Sequence, residues 1–266
     1  MKLFKQFIAT ITLICVSLAP TSAFSAQLTQ LGFILDASGS ISDYNYNLLR
    51  SGLSDALAAI DADGSVEITV TSFGASIITV VAPTMLTVSS LPNIQNAILT
   101  HTKVNGGTPT GAAITYTANL MTSSSLFSNP TLAGSIINLA TDGQPTGGAA
   151  GQAAAENAAA AAYAAGIDAL SIEAIGSGVN SGAALANMMK IVFPNPSTLL
   201  PINSTNIPNP MGGSWVVPVS DFDALAPILK AKVIASVKPP VTVPDSSSLA
   251  LLVIGLIGLG FARRRV

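Results

Sequence analysis

Asp36, Ser38 and Ser40, in the stretch FILDASGS (33–40), place one carboxylate and two hydroxyls at alternate positions just after a short apolar run. One tight turn can aim such alternate side chains at a single ion. Two other stretches carry matching groups. NGGTPTG (105–111) holds Thr108 and Thr110, and in LATDGQP (139–145) a second apolar run ends in a lone acid, Asp142. The combined donor set is two carboxylates and several hydroxyls, with no His or Cys. Hard oxygen donors of this kind favour Mg²⁺, Ca²⁺ or Mn²⁺ over zinc. Mg²⁺ is the first expectation, with Ca²⁺ or Mn²⁺ as alternatives.

Three separated stretches can share an ion only if the fold brings them together. Leu31–Leu35 is a short apolar run, and Tyr44–Ile60 carries Leu48, Leu49, Leu53, Leu57 and Ile60 at helical spacing. Val66–Phe73 alternates as a strand, and IITVV (77–81) reads as a second, hairpin-paired strand. Helices are expected at Leu91–Leu99 and Gly111–Met121, a strand at Ser135–Ala140, and an Ala-rich helix at Gln152–Ala165 that stops at Gly166. A strand at Asp168–Ile175, a helix at Ala183–Ile191, a strand at Trp215–Val219 and a helix at Asp221–Ala235 complete the set. Strands alternating with helices predict an α/β fold: a doubly wound, mostly parallel central sheet with helices on both faces. Ligands of open α/β sheets bind at the carboxyl ends of the strands. That is where Asp36, the 105–111 loop and Asp142 would all lie.

With that placement, the pattern Asp36-Ala-Ser38-Gly-Ser40, then GGTPTG, then TDG resembles the von Willebrand factor type A domain and its metal-ion-dependent adhesion site. The resemblance covers residues 28–237. It implies that Asp36, Ser38, Ser40, Thr108 and Asp142 are the metal ligands, with Thr110 the weaker candidate for the threonine. In the family the hydroxyls bind the ion directly, and the aspartates act directly or through water. A cation held mainly by neutral hydroxyls stays electrophilic and can take an acidic group from a partner as its last ligand. The resemblance therefore implies adhesion to a protein or an acidic polysaccharide through a bridging cation.

The ends of the chain carry signals of another kind. Lys2 and Lys5 precede an apolar run, Phe7–Ala19, and the small residues of PTSAFSAQ follow. This is the order of a secretory signal peptide, expected to span residues 1–25. Cys15 is the only cysteine and lies inside it, so the mature protein is expected to have no disulfide, thiol nucleophile or thiolate metal site. At the other end a Pro-rich linker, 238–245, leads to residues 246–266, where the apolar stretch Leu249–Ala262 is closed by Arg263, Arg264 and Arg265. The order Val-Pro-Asp, short transmembrane helix, arginine tail resembles the Val-Pro-Asp variant of the PEP-CTERM class of bacterial sorting signals. That resemblance implies processing by an exosortase-type membrane enzyme, transient anchoring, and release to the cell surface or an extracellular (biofilm) matrix. Mass spectrometry of surface material should then find mature protein lacking the first ~25 residues and the arginine tail. An intact GFARRRV terminus throughout would leave a simple tail anchor instead.

Composition narrows the function class. Of 266 residues, 49% are hydrophobic and only 9% charged, with a formal net charge of −2. That suggests no nucleic-acid partner and suits an exported protein with one large core. Asp43, Asp61 and Asp63 read as helix-capping or loop acids. His101, the sole histidine, reads as a helix-end surface residue, and Trp215 as core or rim. The Pro/Asn-rich stretch 192–214 reads as a long loop. Without a positioned base, a nucleophile elbow or a partnered histidine, a non-enzymatic binding module is favoured over the alternative, a metal-dependent hydrolase or other envelope enzyme. The two differ in whether cation-dependent capture leaves the ligand chemically unchanged.

Overall fold

A computed structural model describes residues 27–237; the expected signal peptide, the linker and the sorting signal with its transmembrane helix lie outside the described residues. The elements in chain order are β1 (Leu28–Asp36), α1 (Asp43–Leu57), β2 (Asp63–Phe73), β3 (Ile77–Thr87), α2 (Leu91–Thr100), α3 (Thr110–Thr122) and β4 (Leu132–Thr141). They continue with α4 (Gly148–Ala164), β5 (Ala169–Ile175), α5 (Gly182–Ile191), β6 (Thr198–Leu199), β7 (Trp215–Val219) and α6 (Leu225–Val237). No helix among the described residues is long and apolar enough to cross a membrane.

The strands form one sheet in the order β3-β2-β1-β4-β5-β7-β6. All neighbours are parallel except β2 and β3, which pair antiparallel as a hairpin. The chain starts in the middle of the sheet, builds outward through β2 and β3, and then crosses to β4 on the other side of β1. The order therefore reverses between β1 and β4, and a crevice opens at the carboxyl ends of strands that diverge in this way.

The helical periodicities place the two cores. Tyr46, Leu49 and Leu53 of α1, Ile94 and Ile98 of α2, and Leu225, Ile228, Leu229 and Val233 of α6 bury one face of the sheet. Ala113, Ile114 and Met121 of α3, the alanines 155, 158, 159 and 162 of α4, and Met188 and Ile191 of α5 cover the other. The central strands are buried on both faces, and buried polar side chains such as Gln30, Glu67, Asn138 and Glu173 interrupt their apolar runs. The alanine stripe of α4 lets that helix sit close against α3, where a Cβ on Gly111 would collide with the Ala154 carbonyl.

Several expectations need correction. The Ile77 strand runs on to Thr87, past Pro83, which is tolerated because β3 is an edge strand. The helix expected from Asp221 begins at Leu225, after a 3₁₀ turn at Phe222–Ala224 capped by the Asp221 carboxylate, which accepts from Ala224 N at 3.0 Å. The 192–214 stretch is not simply a loop. It contributes β6, which pairs with β7, and a 3₁₀ turn at Pro210–Gly212. Its Asn203 then bonds Ser220 twice, beside the carboxyl end of β7. Trp215 is fully buried in the core, its indole N–H donating to Pro208 O at 3.2 Å.

Candidate metal centre

Asp36 is the last residue of β1 and is fully buried. Its Oδ1 accepts from Ser38 N at 2.9 Å and its Oδ2 from Thr141 Oγ1 at 2.6 Å. The carboxylate is thus held by the turn that follows it and by the end of the neighbouring strand β4. Ser38 Oγ lies 3.0 Å from Ser40 Oγ, and Ser40 Oγ donates to Asp142 Oδ1 at 2.7 Å. The groups expected at the site from β1 and β4 therefore form one continuous chain of contacts, Asp36–Ser38–Ser40–Asp142. Ser42 takes no part in it. Its hydroxyl caps α1, accepting from Asn45 N at 3.1 Å. The serines at alternate positions thus divide between two tasks: two turn toward Asp142 and the third starts the helix.

The 105–111 loop is laced to both neighbours. Asn105, at φ 59, donates its N–H to Ala37 O at 2.8 Å, and Gly39 donates to Gly106 O at 2.9 Å. The β2–β3 turn closes from the other side, where Gly74 packs so tightly against Asn105 O and Ala37 O that a Cβ there would clash with backbone. Thr108 N donates to Thr146 Oγ1 at 2.6 Å, and Thr146 N returns a bond to Thr108 O at 3.0 Å. Thr108 is buried, and its hydroxyl lies against Gly143, the residue after Asp142. Thr110 is placed differently. It opens α3, and its hydroxyl turns back to Thr108 O at 3.4 Å. The geometry thus joins Asp36, Ser38, Ser40 and Asp142 in one run of contacts, sets Thr108 beside Gly143, and leaves Thr110 as a local support.

Thr141 is the residue that sequence reasoning missed. It donates to Asp36 Oδ2 at 2.6 Å and accepts from the Gly143 N–H at 3.2 Å. One hydroxyl therefore orients the acid of β1 and the loop carrying Asp142. The available signal was its position beside Asp142 at a strand end.

Burial dominates the electrostatics of the two acids. Burial pushes the Asp36 carboxyl up to about 6, against the lowering effect of its bonds to Ser38 and Thr141, and Asp142 adds a further raising influence. Asp142, half-buried, is also raised, by burial, and is lowered by Ser40 and by the charge of Lys103. Lys103 itself is committed elsewhere, to Ile41 O and, at 3.5 Å, to Asp43. A divalent cation among these oxygens would reverse the penalty, since it favours the ionised form of both acids. The donor chemistry, carboxylate and hydroxyl oxygens, fits a hard cation, while among the described residues no three of His, Cys, Asp or Glu gather into a metal-holding group.

The other acids singled out in the sequence, Asp43, Asp61 and Asp63, and the histidine lie outside the Asp36–Asp142 run of contacts. Asp43 follows the capping residue rather than being it. Asp63 accepts from Ser65 N at 2.9 Å in a local turn, and Asp61 is an exposed loop residue. His101 ends α2 as expected, but it is half-buried rather than on the surface. Its ring meets Tyr46 edge-on, with centroids 6.2 Å apart. Burial and the charge of Arg50 hold it below its ordinary value, and Arg50 donates to the Leu99 and His101 carbonyls, joining α1 to the end of α2. No hydroxyl of the crevice is among its contacts.

Among solved structures, proximal thread matrix protein 1 from the mussel byssus is similar, with 19% identity over 78% of this chain and 48% of that one and a TM-score of 0.58. Another form of that protein, with a zinc-occupied metal-ion-dependent adhesion site, aligns at 18% identity over 78% of this chain and 48% of that one, TM-score 0.57. The pilus adhesin SpaC from Lactobacillus rhamnosus GG aligns at 14% identity over 80% of this chain and 31% of that one, TM-score 0.58. The chain thus spans about half the length of the mussel protein and under a third of the adhesin. At these identities the likeness concerns the fold. No curated protein matches the chain. The family model for the von Willebrand factor type A domain matches residues 30–200, from β1 through the expected ligand loops to the edge strand. Fold, strand order and sequence match agree, and the chain belongs to the von Willebrand factor type A domain family.

Proposed function

We propose that the protein is an exported, cell-surface or matrix binding module, without catalytic activity, that holds a divalent cation with Asp36, Ser38, Ser40, Thr108 and Asp142 and uses it to capture an acidic ligand. The observation that carries the reading is the chain of contacts from Asp36 through Ser38 and Ser40 to Asp142, assembled where the strand order reverses. In it Thr141 is a positioning residue: it holds Asp36 through Oδ2. Bound there, the cation would supply a Lewis-acidic centre for a carboxylate of a protein or an acidic polysaccharide. Mg²⁺ is the first choice, with Ca²⁺ and Mn²⁺ next, because the donors are hard oxygens. The adhesive and matrix character of the pilus and byssus proteins is consistent with this role, as is the export signal expected from the sequence.

The purified protein should melt higher in millimolar Mg²⁺, Ca²⁺ or Mn²⁺ than in EDTA. A cation at about 100 times its dissociation constant adds roughly 2.7 kcal/mol, or roughly 5–10 °C for a domain of this size. The same titration on Asp36→Ala should be flat; equal shifts in both proteins would remove Asp36 from the site. Pull-down from the native cell surface should need the cation, be lost in EDTA, and return the ligand chemically intact. A cleaved ligand would point to the hydrolase instead.

A further inference from the structure

Next to the three-loop crevice an open groove of about 680 Å³ runs between the amino-terminal half of α4 and the face of α5. It begins at Gln144, two residues after Asp142, so the two Cα atoms are at most ~7 Å apart. The residues between Gln144 and α4 are tied to the 105–111 loop by the reciprocal pair Thr108–Thr146.

The chemistry of the groove is specific. Gln152 donates through Nε2 to Glu156 Oε1 at 2.9 Å and to Asn187 O at 3.0 Å. Its own carbonyl oxygen is left buried with no hydrogen-bond partner. A buried acceptor of this kind is costly unless a donor is supplied, and the two Nε2 bonds fix the amide that carries it. Glu156 and the side-chain carbonyls of Gln144 and Asn187 add further acceptors, and Lys190, which donates to Asn187 Oδ1 at 3.2 Å, is the one cation on the lining. Pro145, Ala149 and Ala153 supply small apolar surface, and no aromatic side chain lines the groove. A peptide anchor is usually a large apolar or aromatic side chain in a matching pocket. Acceptor-rich amides beside small apolar patches suit instead a ligand with many hydroxyl donors and compact C–H faces.

We propose that this groove is the second half of the ligand site and binds a sugar unit of an acidic polysaccharide whose uronate carboxylate reaches the cation. The inference rests on the cation reading above and narrows its ligand class. The cation takes the charge, and the groove reads the hydroxyls.

The test uses the purified full chain and titration calorimetry in saturating Mg²⁺ and in EDTA. The probes are an oligogalacturonate, the same oligomer with its carboxylates reduced to alcohols, and poly-aspartate. The oligogalacturonate should bind best, poly-aspartate measurably but more weakly, both only with Mg²⁺, and the reduced oligomer not at all. Gln152→Ala should weaken it about tenfold, as expected for losing a ligand hydrogen bond and an orienting amide. Gln144→Ala, at an exposed position where folding is not at stake, should weaken it less but in the same direction. Poly-aspartate binding should change less than about twofold in either variant, and the Mg²⁺ melting shift should stay at the wild-type value. Equal weakening of both ligands, or none of either, overturns the proposal. If oligogalacturonate fails to bind the wild type while Mg²⁺ still raises the melting temperature, the groove assignment fails and the cation site stands. If Mg²⁺ produces no shift, the cation reading fails and takes the groove's role with it.

Discussion

Replacing Lys232 with Met should remove about 3–5 kcal/mol of folding stability, although the residue lies on α6 and takes no part in the cation crevice. Lys232 and Glu173 are 0% and 1% exposed in their side chains, with Nζ 2.5 Å from Oε1. The two groups form a buried ion pair, and Nζ also lies 5.0 Å from the centre of the Trp215 ring. Burial pushes Glu173 up and Lys232 down, and each partner opposes the shift of the other. Removing the lysine strands a carboxylate between β5 and α6, and its pKa should rise further. A folded-state pKa above the unfolded one means that the folded state binds the extra proton. Stability then falls as pH rises through that window. The loss in Lys232→Met should accordingly shrink toward the ordinary carboxylate range and be largest at neutral pH and above. The double variant Glu173→Leu, Lys232→Met should recover most of the loss, because an apolar pair of similar volume avoids the desolvation penalty. Urea melts across pH of the wild type, Lys232→Met, Glu173→Leu and the double variant close the cycle. Additive losses in the double variant would mean that the two groups do not compensate each other.

Leu139→Ala should cost roughly 2–5 kcal/mol, whereas Asp142→Ala, three residues along, should leave the stability of the cation-free protein almost unchanged. Leu139 is fully buried in the second core. Asp142 is half-buried, and its one side-chain hydrogen bond reaches Ser40 at 2.7 Å. Its removal makes no core cavity and relieves the repulsion that raises Asp36. The cost-free fold should come with lost function: Asp142→Ala should bind the cation more weakly and capture less ligand, while whatever Leu139→Ala protein still folds should keep both. Denaturant melts in EDTA plus a metal titration of each variant decide the matter. If Asp142→Ala unfolds the apo protein as badly as Leu139→Ala does, Asp142 is a structural residue and the crevice loses one of its corners.

What was legible in the chain is what depends on local pattern. Apolar runs ending in acids at Asp36 and Asp142, helical spacing from Tyr44 to Ile60, and turn residues between them are enough to place strands, helices and their carboxyl-end loops, because both periodicities are short-range. The same patterns bring Ser38, Ser40 and Thr108 to those loops. Boundaries slipped where a tertiary contact outweighs propensity. Pro83 is harmless only on an edge strand, β6 exists only because β7 offers it a partner, and the start of α6 is set by the Asp221 cap. The contacts of Thr141, Gln152 and the Glu173–Lys232 pair could not be read from sequence at all. A threonine that orients an acid 105 residues away, an amide left with a buried free carbonyl, and a charge neutralised across a core are properties of distances between elements. By itself the amino-acid sequence determined the donor types, the strand ends that carry them and the class of ion they suit. Only the tertiary structure decided which hydroxyl serves which acid and what lies beside the crevice, because hydrogen bonds and desolvation depend on where chain-distant groups meet.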